Sequence, residues 1–600
     1  MAVALLIAWK TWGHWGDIQI DCGREMYVPV AILRGRLLYR DIMYQYGPLP
    51  PYLQALAFAL FGINLNVLYL IGMMLVISAA LLLFEIGREF HLVIPAAMTA
   101  PLFFLAESFR PSIFNFIFPY SYAASMAAVF GLACLYFSIK HALTGRLLWL
   151  GLAGFCTSLA LLTKQEFGLA CLGVLGFTAL APCLRRDSWR QVIEKGWICG
   201  VSLAPALLGY GLIVTKVSAR TLFLDNWVMT PGTYTMRTIG HFKMASEGVR
   251  FGLREWSDAA FGAALSIVLW FAVAYANAFI IKRLGLRRIR YFLLLIVADL
   301  IATLLLINFV SPLWAGLPAF VGRMIFPEGI FLFGCGFLIV AIWKACQTRG
   351  EALHLAEAAL GIYAVMAGIR VMMEMVPGHG YAPFFNGAVF VVFVIVVSRV
   401  ISLASQSLDR QRRRRLIGCM MGAEAILLVI AFFPRHDLLT SRMQTDFGTI
   451  YTQPDRAVLF PQIVSFMKSH SRNGKDILVL PESPSLYFFS GLQSPSRWYE
   501  VQPGALDPKT ELAFINDAES AQVQYVLLCN RHVDEFGIAT FGIGYDRSVY
   551  KWLMANYTKV GQFGPRDDLL PPDSDAGFYQ PYIMEVYEKK REGPKARSSG

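Results

Sequence analysis

Long apolar runs alternate with short polar connections over the first three quarters of the chain. Runs able to cross a bilayer, about 20 residues each at about 1.5 Å per helical residue, lie near 1–15, 66–85, 92–109, 121–139, 147–163, 167–184, 197–215, 259–281, 292–310, 325–343, 353–376, 384–404 and 416–433. They predict about thirteen membrane-spanning helices, the first of them short. A cleaved leader is the alternative for 1–15, although that segment has neither a basic start nor a small-residue cleavage site. From about residue 434 the apolar runs shrink to strand length, at Asp476–Pro481, Tyr525–Cys529 and Tyr582–Tyr587, with helix-like stretches at 457–469 and 547–556. This rhythm predicts a polytopic α-helical membrane domain over 1–433, an extracytoplasmic α/β domain over 434–588 and a polar, disordered tail over 589–600. No internal repeat of fixed period is visible.

Charge sets the orientation. Arg88, Lys140 with Arg146, the 185–195 and 282–290 clusters, Lys344 with Arg349, and the 410–415 cluster occupy every second connection. The alternate turns near 107–120, 164–166, 311–324 and 377–383 carry almost no cations. By the positive-inside rule the basic loops are cytoplasmic. The other side then receives 16–65, the 216–258 loop and everything beyond about 434. Only 16% of residues are charged, against about 25% in soluble domains. The net charge of +12 thus points to membrane lipids and away from nucleic acid, with the 284–290 and 410–415 clusters set against anionic lipid. The ten cysteines are scattered without metal spacing and read as small buried hydrophobes. Walker A, GxGxxG and HExxH patterns are absent, and the nine histidines do not cluster.

The first outside segment is the most unusual. It places Asp17, Asp21, Glu25 and Asp41 near the membrane surface, ahead of an aromatic and proline-rich turn. Asp21 and Glu25 share one face of a helix, where like charges repel unless a cation or proton donor lies between them. A solvated interfacial helix balanced by Arg24, Arg34, Arg36 and Arg40 is the plain structural alternative.

The order of a short first span, Asp21, Arg34-Gly35, Tyr39-Arg40-Asp41 and then Tyr46-Gly-Pro-Leu-Pro-Pro-Tyr52 resembles the GT-C membrane glycosyltransferases. The resemblance is to the branch of protein O-mannosyltransferases and lipid A aminoarabinose transferases. It implies a polyprenyl-phosphate sugar donor and a catalytic Asp in the first extracytoplasmic loop, which Asp21 matches by its distance to Gly35. Two departures stand out: Cys22 follows Asp21 where many members have an acidic residue, and the 47–52 turn replaces a commoner His-Pro-Pro-Leu-Tyr. A single Asp base with the phosphate leaving from the opposite face predicts inversion in one step, with a glycan, lipid or protein as acceptor, and the resemblance implies a bacterial host whose inner membrane holds the protein. Glu25, Asp17 and Asp41 are then the candidates to support the base or orient the acceptor.

An attacking hydroxyl needs a carboxylate to take its proton, and a phosphate leaving group needs cations. Lys164 and Glu166 interrupt two apolar runs in the Thr163-Lys-Gln-Glu166 turn, where charge is expensive unless paired or lining a cavity. The structural alternative is a snorkelling lysine. Arg370, with Glu374 at i+4 and His379 in the following turn, is the second phosphate candidate, with a structural Arg–Glu pair as its alternative; Arg323 is a third. Tyr46 and Asp225 are further candidates for substrate contact, and Glu107 with Arg110 reads as helix-end capping. A divalent cation held through water by Asp17, Asp21 and Glu25 stays open. So do two other functions: a flippase for a lipid-linked glycan, which calls for midplane charges and repeat symmetry, and a non-catalytic subunit of an envelope complex.

Overall fold

A computed structural model describes residues 2–19, 21–110, 113–185, 189–228, 253–298, 328–372, 382–431, 439–531, 533, 540–565 and 581–591. The membrane part consists of α1 (Ala2–Thr11), α2 (Asp21–Leu33), α3 (Leu49–Phe61), α4 (Leu65–Glu89), α5 (Ile94–Ser108), α6 (Tyr122–Thr144), α7 (Leu147–Leu161), α8 (Gln165–Arg185), α9 (Trp189–Ser202) and α10 (Ala204–Val214). It continues with α11 (Leu253–Arg283), α12 (Ile289–Ala298), α13 (Glu328–Gln347), α14 (Ala352–Met372), α15 (Gly387–Ala404) and α16 (Arg410–Ala431). A helix thus lies in each of the thirteen apolar runs. Among the described residues seven are long and apolar enough to cross a membrane, α9 and α10 forming one such span between them. Others, such as α5 and α7, fall short of about 18 residues. The chain is a multi-pass membrane protein.

The 16–65 segment differs from the expected loop. It carries two helices, α2 and α3, and the reason is local. Asp21 opens α2 at the positive end of the helix dipole. The prolines of the 48–51 stretch, which read as breakers, lie in the first turn of α3, where a missing N–H costs nothing. α6 packs on α4, α7, α8 and α14, and α14 also contacts α13 and α8, so the corner between α7 and α8 lies inside the bundle.

The second part has a hairpin, β1 (Ser441–Thr445) with β2 (Gly448–Thr452), followed by α17 (Pro454–His470), β3 (Ile477–Leu480), α18 (Ser485–Ser490), α19 (Pro508–Ser520), β4 (Tyr525–Cys529), α20 (Arg547–Asn556), β5 (Tyr557–Phe563) and β6 (Met584–Lys589). The four-stranded sheet has the order β3-β4-β6-β5. β3 and β4 are parallel, with Ile477 opposite Tyr525, while β6 runs antiparallel to both of its neighbours. Four consecutive buried residues in β3 fit a strand covered on both faces. Lys589, expected to begin the tail, is instead the last residue of β6, and 592–600 lie outside the described residues.

This α/β part is sewn to the 16–65 segment. The 491–501 strap that follows α18 receives hydrogen bonds from Arg34 Nη1 to Gly491 O (2.8 Å) and from Arg36 Nη1 to Ser494 O (3.2 Å). Met43 N donates to Arg497 O at 3.0 Å, and Ser494 N donates to Tyr27 Oη at 3.0 Å. Beneath it α2 meets α18 so closely that a Cβ on Gly23 would lie 2.6 Å from Ser485 N.

Candidate active site

Arg24 is the centre of the site. It lies one turn into α2 and is 1% exposed, and its guanidinium reaches three carboxylates: Asp21 at 2.9 Å, Glu500 at 3.2 Å and Glu25 at 3.4 Å. The same group donates to the Tyr120 carbonyl. The cation required between Asp21 and Glu25 is therefore the arginine one turn from the first and beside the second. Glu25 also accepts from Tyr122 N (3.1 Å) and Gln54 Nε2 (3.4 Å). Asp21 differs from its companions in access: its side chain is 21% exposed, against 1% for Glu25 and 9% for Glu500.

Burial decides the protonation of this group. It pushes Glu25 up to about 7 against the opposing pull of Arg24 and the Tyr122 N–H. It likewise pushes Glu500 up to about 7, Arg24 again opposing, with the charges of Asp21 and Glu482 adding to the rise. Asp21 is raised by burial as well, partly offset by Arg24. One guanidinium cannot fully compensate three buried carboxylates.

A second charged group lies across two tyrosines. Tyr46 has Arg24 on its ring at 5.3 Å and Lys164 at 4.7 Å. Lys164, 3% exposed, donates to Tyr120 Oη at 2.9 Å and lies 3.8 Å from Glu166. Arg370 reaches Glu166 from α14 at 3.4 Å. The α7–α8 corner is held against the 46–49 turn by Gly47 N donating to Thr163 O (2.8 Å) and Leu49 N to Leu162 O (3.0 Å). A Cβ on Gly47 would sit 2.2 Å from Leu162 O, so only glycine permits this approach.

The structure therefore brings Asp21, Glu25, Tyr46, Lys164, Glu166 and Arg370 into one chain of contacts, with three carboxylates around Arg24 at one end and two cations around Glu166 at the other. The other candidates lie at its margins or apart from it. Asp17 turns its carboxylate to Gln19 N (2.7 Å). Asp41 accepts from Leu37 N (2.8 Å) and pairs with Arg40 (2.7 Å), which staples the 37–41 turn. Asp225 pairs with Arg497 of the strap, and its neighbour Asn226 accepts from Gln165 Nε2 at 2.6 Å. Glu107 pairs with Arg110 at 2.6 Å. His379, Glu374 and Arg323 lie outside the described residues. Among the described residues no three His, Cys, Asp or Glu side chains converge as metal ligands.

Sequence reasoning overlooked Glu500, Tyr120 and the central place of Arg24. The last carried a signal, an arginine three residues after one acid and directly before the next.

Residues 45–209 match the family model of dolichyl-phosphate-mannose-protein mannosyltransferases, a segment that includes Tyr46, Tyr120, Lys164 and Glu166. No curated protein matches the chain. Among solved structures, ArnT from Cupriavidus metallidurans bound to undecaprenyl phosphate superposes with a TM-score of 0.51 at 12% identity, covering 98% of this chain and 96% of that one. The oligosaccharyltransferase of Archaeoglobus fulgidus, in complex with zinc and sulfate, gives 0.45 at 13% identity over 88% of this chain and 67% of that one. With a mannosyltransferase-family segment inside a bundle that matches ArnT from end to end, the chain has the fold of the GT-C membrane glycosyltransferases.

Proposed function

We propose that this protein is an inverting glycosyltransferase that moves one sugar from a polyprenyl-phosphate-linked donor to an acceptor hydroxyl on the extracytoplasmic side of the membrane. One observation carries the reading: the carboxylates around Arg24 and the Lys164–Glu166–Arg370 group are joined through Tyr46 and Tyr120 in one chain of contacts. Asp21 is the base, because it alone of the three carboxylates around Arg24 keeps appreciable access. Arg24 holds it in place through a 2.9 Å bond, and Glu25 holds Arg24. As the acceptor oxygen attacks C1 of the donor sugar, its proton passes to Asp21 and the lipid phosphate departs from the opposite face, which inverts C1 in one step. Lys164 and Arg370 neutralise the departing phosphate, with Glu166 between them setting their spacing.

The undecaprenyl phosphate bound to the similarly folded ArnT supports a carrier of that class. The cation-poor turns on the Lys164 side support an extracytoplasmic site, and the inner membrane is the location proposed with it. This scheme uses no divalent cation: Asp21 and Glu25 both pair with the Arg24 guanidinium. Asp225 and Asp41 serve the architecture in this reading, one through Arg497 and the other through its own turn. The acceptor, whether glycan, lipid or protein, meets the strap side of Asp21.

The test separates binding from chemistry. Undecaprenyl phosphate at 100 times its dissociation constant should stabilise the purified protein by about 2.7 kcal/mol. Asp21→Asn should keep that stabilisation and lose turnover by about a thousandfold or more. The Lys164→Ala, Arg370→Ala double variant should lose the stabilisation. A wild type that ignores undecaprenyl phosphate but answers to nucleotide sugars sinks the reading.

A further inference from the structure

At the end of the bundle remote from the α/β part, the structure draws two basic clusters together. One is the turn from α11 into α12, Lys282 to Arg290; the other is the start of α16, Arg410 to Arg415. They meet across 128 residues of sequence, where the Arg415 guanidinium donates to the main-chain oxygen of Arg287. The turn that receives this bond is fixed. Gly285 takes a φ of 62°, Leu286 N closes on Ile281 O at 3.0 Å, and the Leu286 side chain packs against the core. From this end the 22 residues of α16 run about 33 Å before the chain enters the α/β part.

Residues 282–290 and 409–415 hold ten cations and a single acid, Asp409. That acid is already engaged, capping Arg412 N at 2.9 Å and pairing with the Arg412 side chain. Lys282, Arg283, Arg287, Arg288, Arg410 and Arg414 are exposed, and none pairs with a carboxylate among the described residues. Other basic residues on this side do find partners: Arg88 pairs with Glu85 at 3.1 Å and Lys140 with Glu89 at 3.0 Å. The arginines of α16 also crowd the positive end of its helix dipole, where cations are unfavourable. Like charges gathered in this way repel one another unless an anion from outside the chain lies among them.

The surroundings indicate which anion. α11 leads up to Arg283 with Phe271, Tyr275 and Phe279 exposed one turn apart, and Arg283 stands over the Phe279 ring at 5.9 Å. α12 leads away from the turn with Ile289, Leu293 and Val297 exposed at the same spacing. The cations therefore cap two apolar stripes. A molecule that meets both parts carries phosphate above hydrocarbon chains, which fits a phospholipid and not a soluble polyanion.

We propose that the α11–α12 turn and the start of α16 together form one headgroup site for an anionic phospholipid of the surrounding leaflet. The inference goes beyond the glycosyltransferase reading and does not depend on it. It also differs from the diffuse attraction that each cluster would exert alone, because the site needs both. A lipid with two phosphates brings twice the charge and should bind more tightly than one with a single phosphate.

The full chain in detergent is titrated with phosphatidylcholine, phosphatidylglycerol and diphosphatidylglycerol, and bound lipid is counted by native mass spectrometry. Wild type should prefer phosphatidylglycerol over phosphatidylcholine by about tenfold, with diphosphatidylglycerol tighter still. Arg287→Gln with Arg288→Gln, and separately Arg410→Gln with Arg414→Gln, should each lower that preference by about fivefold or more. Arg146→Gln with Arg349→Gln removes the same charge from exposed positions on the same side and should leave it within twofold. An equal loss in this control pair overturns the site and leaves only general surface charge. So does a wild type that takes up the three lipids alike. Displacement of bound diphosphatidylglycerol by an equal concentration of free tripolyphosphate would assign the patch to a soluble polyanion instead. Thermal midpoints without added lipid report folding, and should one pair of changes prevent it, the other pair reads the same site.

Discussion

Arg24 shows how one side chain sets the terms for a whole site. Its removal leaves buried carboxylates without their cation, a defect that costs about 3–5 kcal/mol when a buried pair is broken. Arg24→Ala should therefore lower the thermal midpoint far more than Asp21→Asn does. Arg24→Lys should not restore it, because a single ammonium cannot fork to Asp21, Glu25 and Glu500 together. The same crowding predicts a pH dependence. Glu25 and Glu500 are held protonated to about pH 7 by burial, so the folded state binds their protons more tightly than the unfolded chain does. The stability from those protons is fully present below about pH 4.5, their ordinary value, and is lost as pH rises through about 7. A midpoint-against-pH curve from pH 4.5 to 8 should fall for wild type and flatten for Glu25→Gln. A wild-type curve that rises over this range would show the two groups to be ionised throughout. Asp21 and Glu25 were legible in the sequence because four-residue spacing puts two like charges on one helix face. Glu500 was not: it meets Arg24 from 476 residues away, and nothing around it breaks the pattern of an ordinary surface acid.

At the scale of elements, two glycines fix the distances on which the chemistry depends. Gly47 lets the 46–49 turn touch the α7–α8 corner, which keeps Tyr46 over Lys164. Gly47→Ala would drive a methyl group into the Leu162 carbonyl at 2.2 Å and break the two hydrogen bonds that join these segments. It should cut turnover of a carrier-linked sugar by tenfold or more while the protein still folds and inserts; unaltered rates would show that the Tyr46–Lys164 spacing does not matter. Gly23→Val should instead push α18 away from α2, with a cost of about 1–3 kcal/mol typical of overpacking, read as a lower thermal midpoint. Hydrophobic rhythm reveals the long helices and three of the six described strands, β3, β4 and β6, but not β1, β2 or β5; β4 and α20 occupy 525–529 and 547–556 as read from the sequence. Of the short helices within 16–65, α2 is legible only as an interfacial helix and α3 not at all. α2 is buried between the bundle and the α/β part, so its sequence lacks a clean polar face, and α3 begins with prolines that elsewhere mark a turn.

Across the whole molecule, the proposed base and the proposed phosphate-binding cations belong to differently anchored pieces. Asp21 travels with α2, which is tied to the strap, whereas Lys164 and Arg370 belong to the membrane bundle. Releasing the strap should therefore disturb the base first. Arg34→Ala with Arg36→Ala removes side chains that grip strap carbonyls and should speed proteolytic cutting within 491–497 and lower turnover, with binding of undecaprenyl phosphate retained. Equal protease resistance in the double variant would mean that the strap is held by α2–α18 packing alone. Composition and rhythm both change near residue 434, but no local sequence pattern shows which face of a sheet domain a membrane loop will meet. The grip itself has a further consequence. Arg34, Arg36 and Met43 hold the strap through the main-chain oxygens of Gly491, Ser494 and Arg497, and a carbonyl is the same whatever residue bears it. These bonds are therefore indifferent to the side chains at Gln493 and Pro495. A lineage could rewrite those positions, and with them the wall offered to an arriving acceptor, while the base stayed where it was.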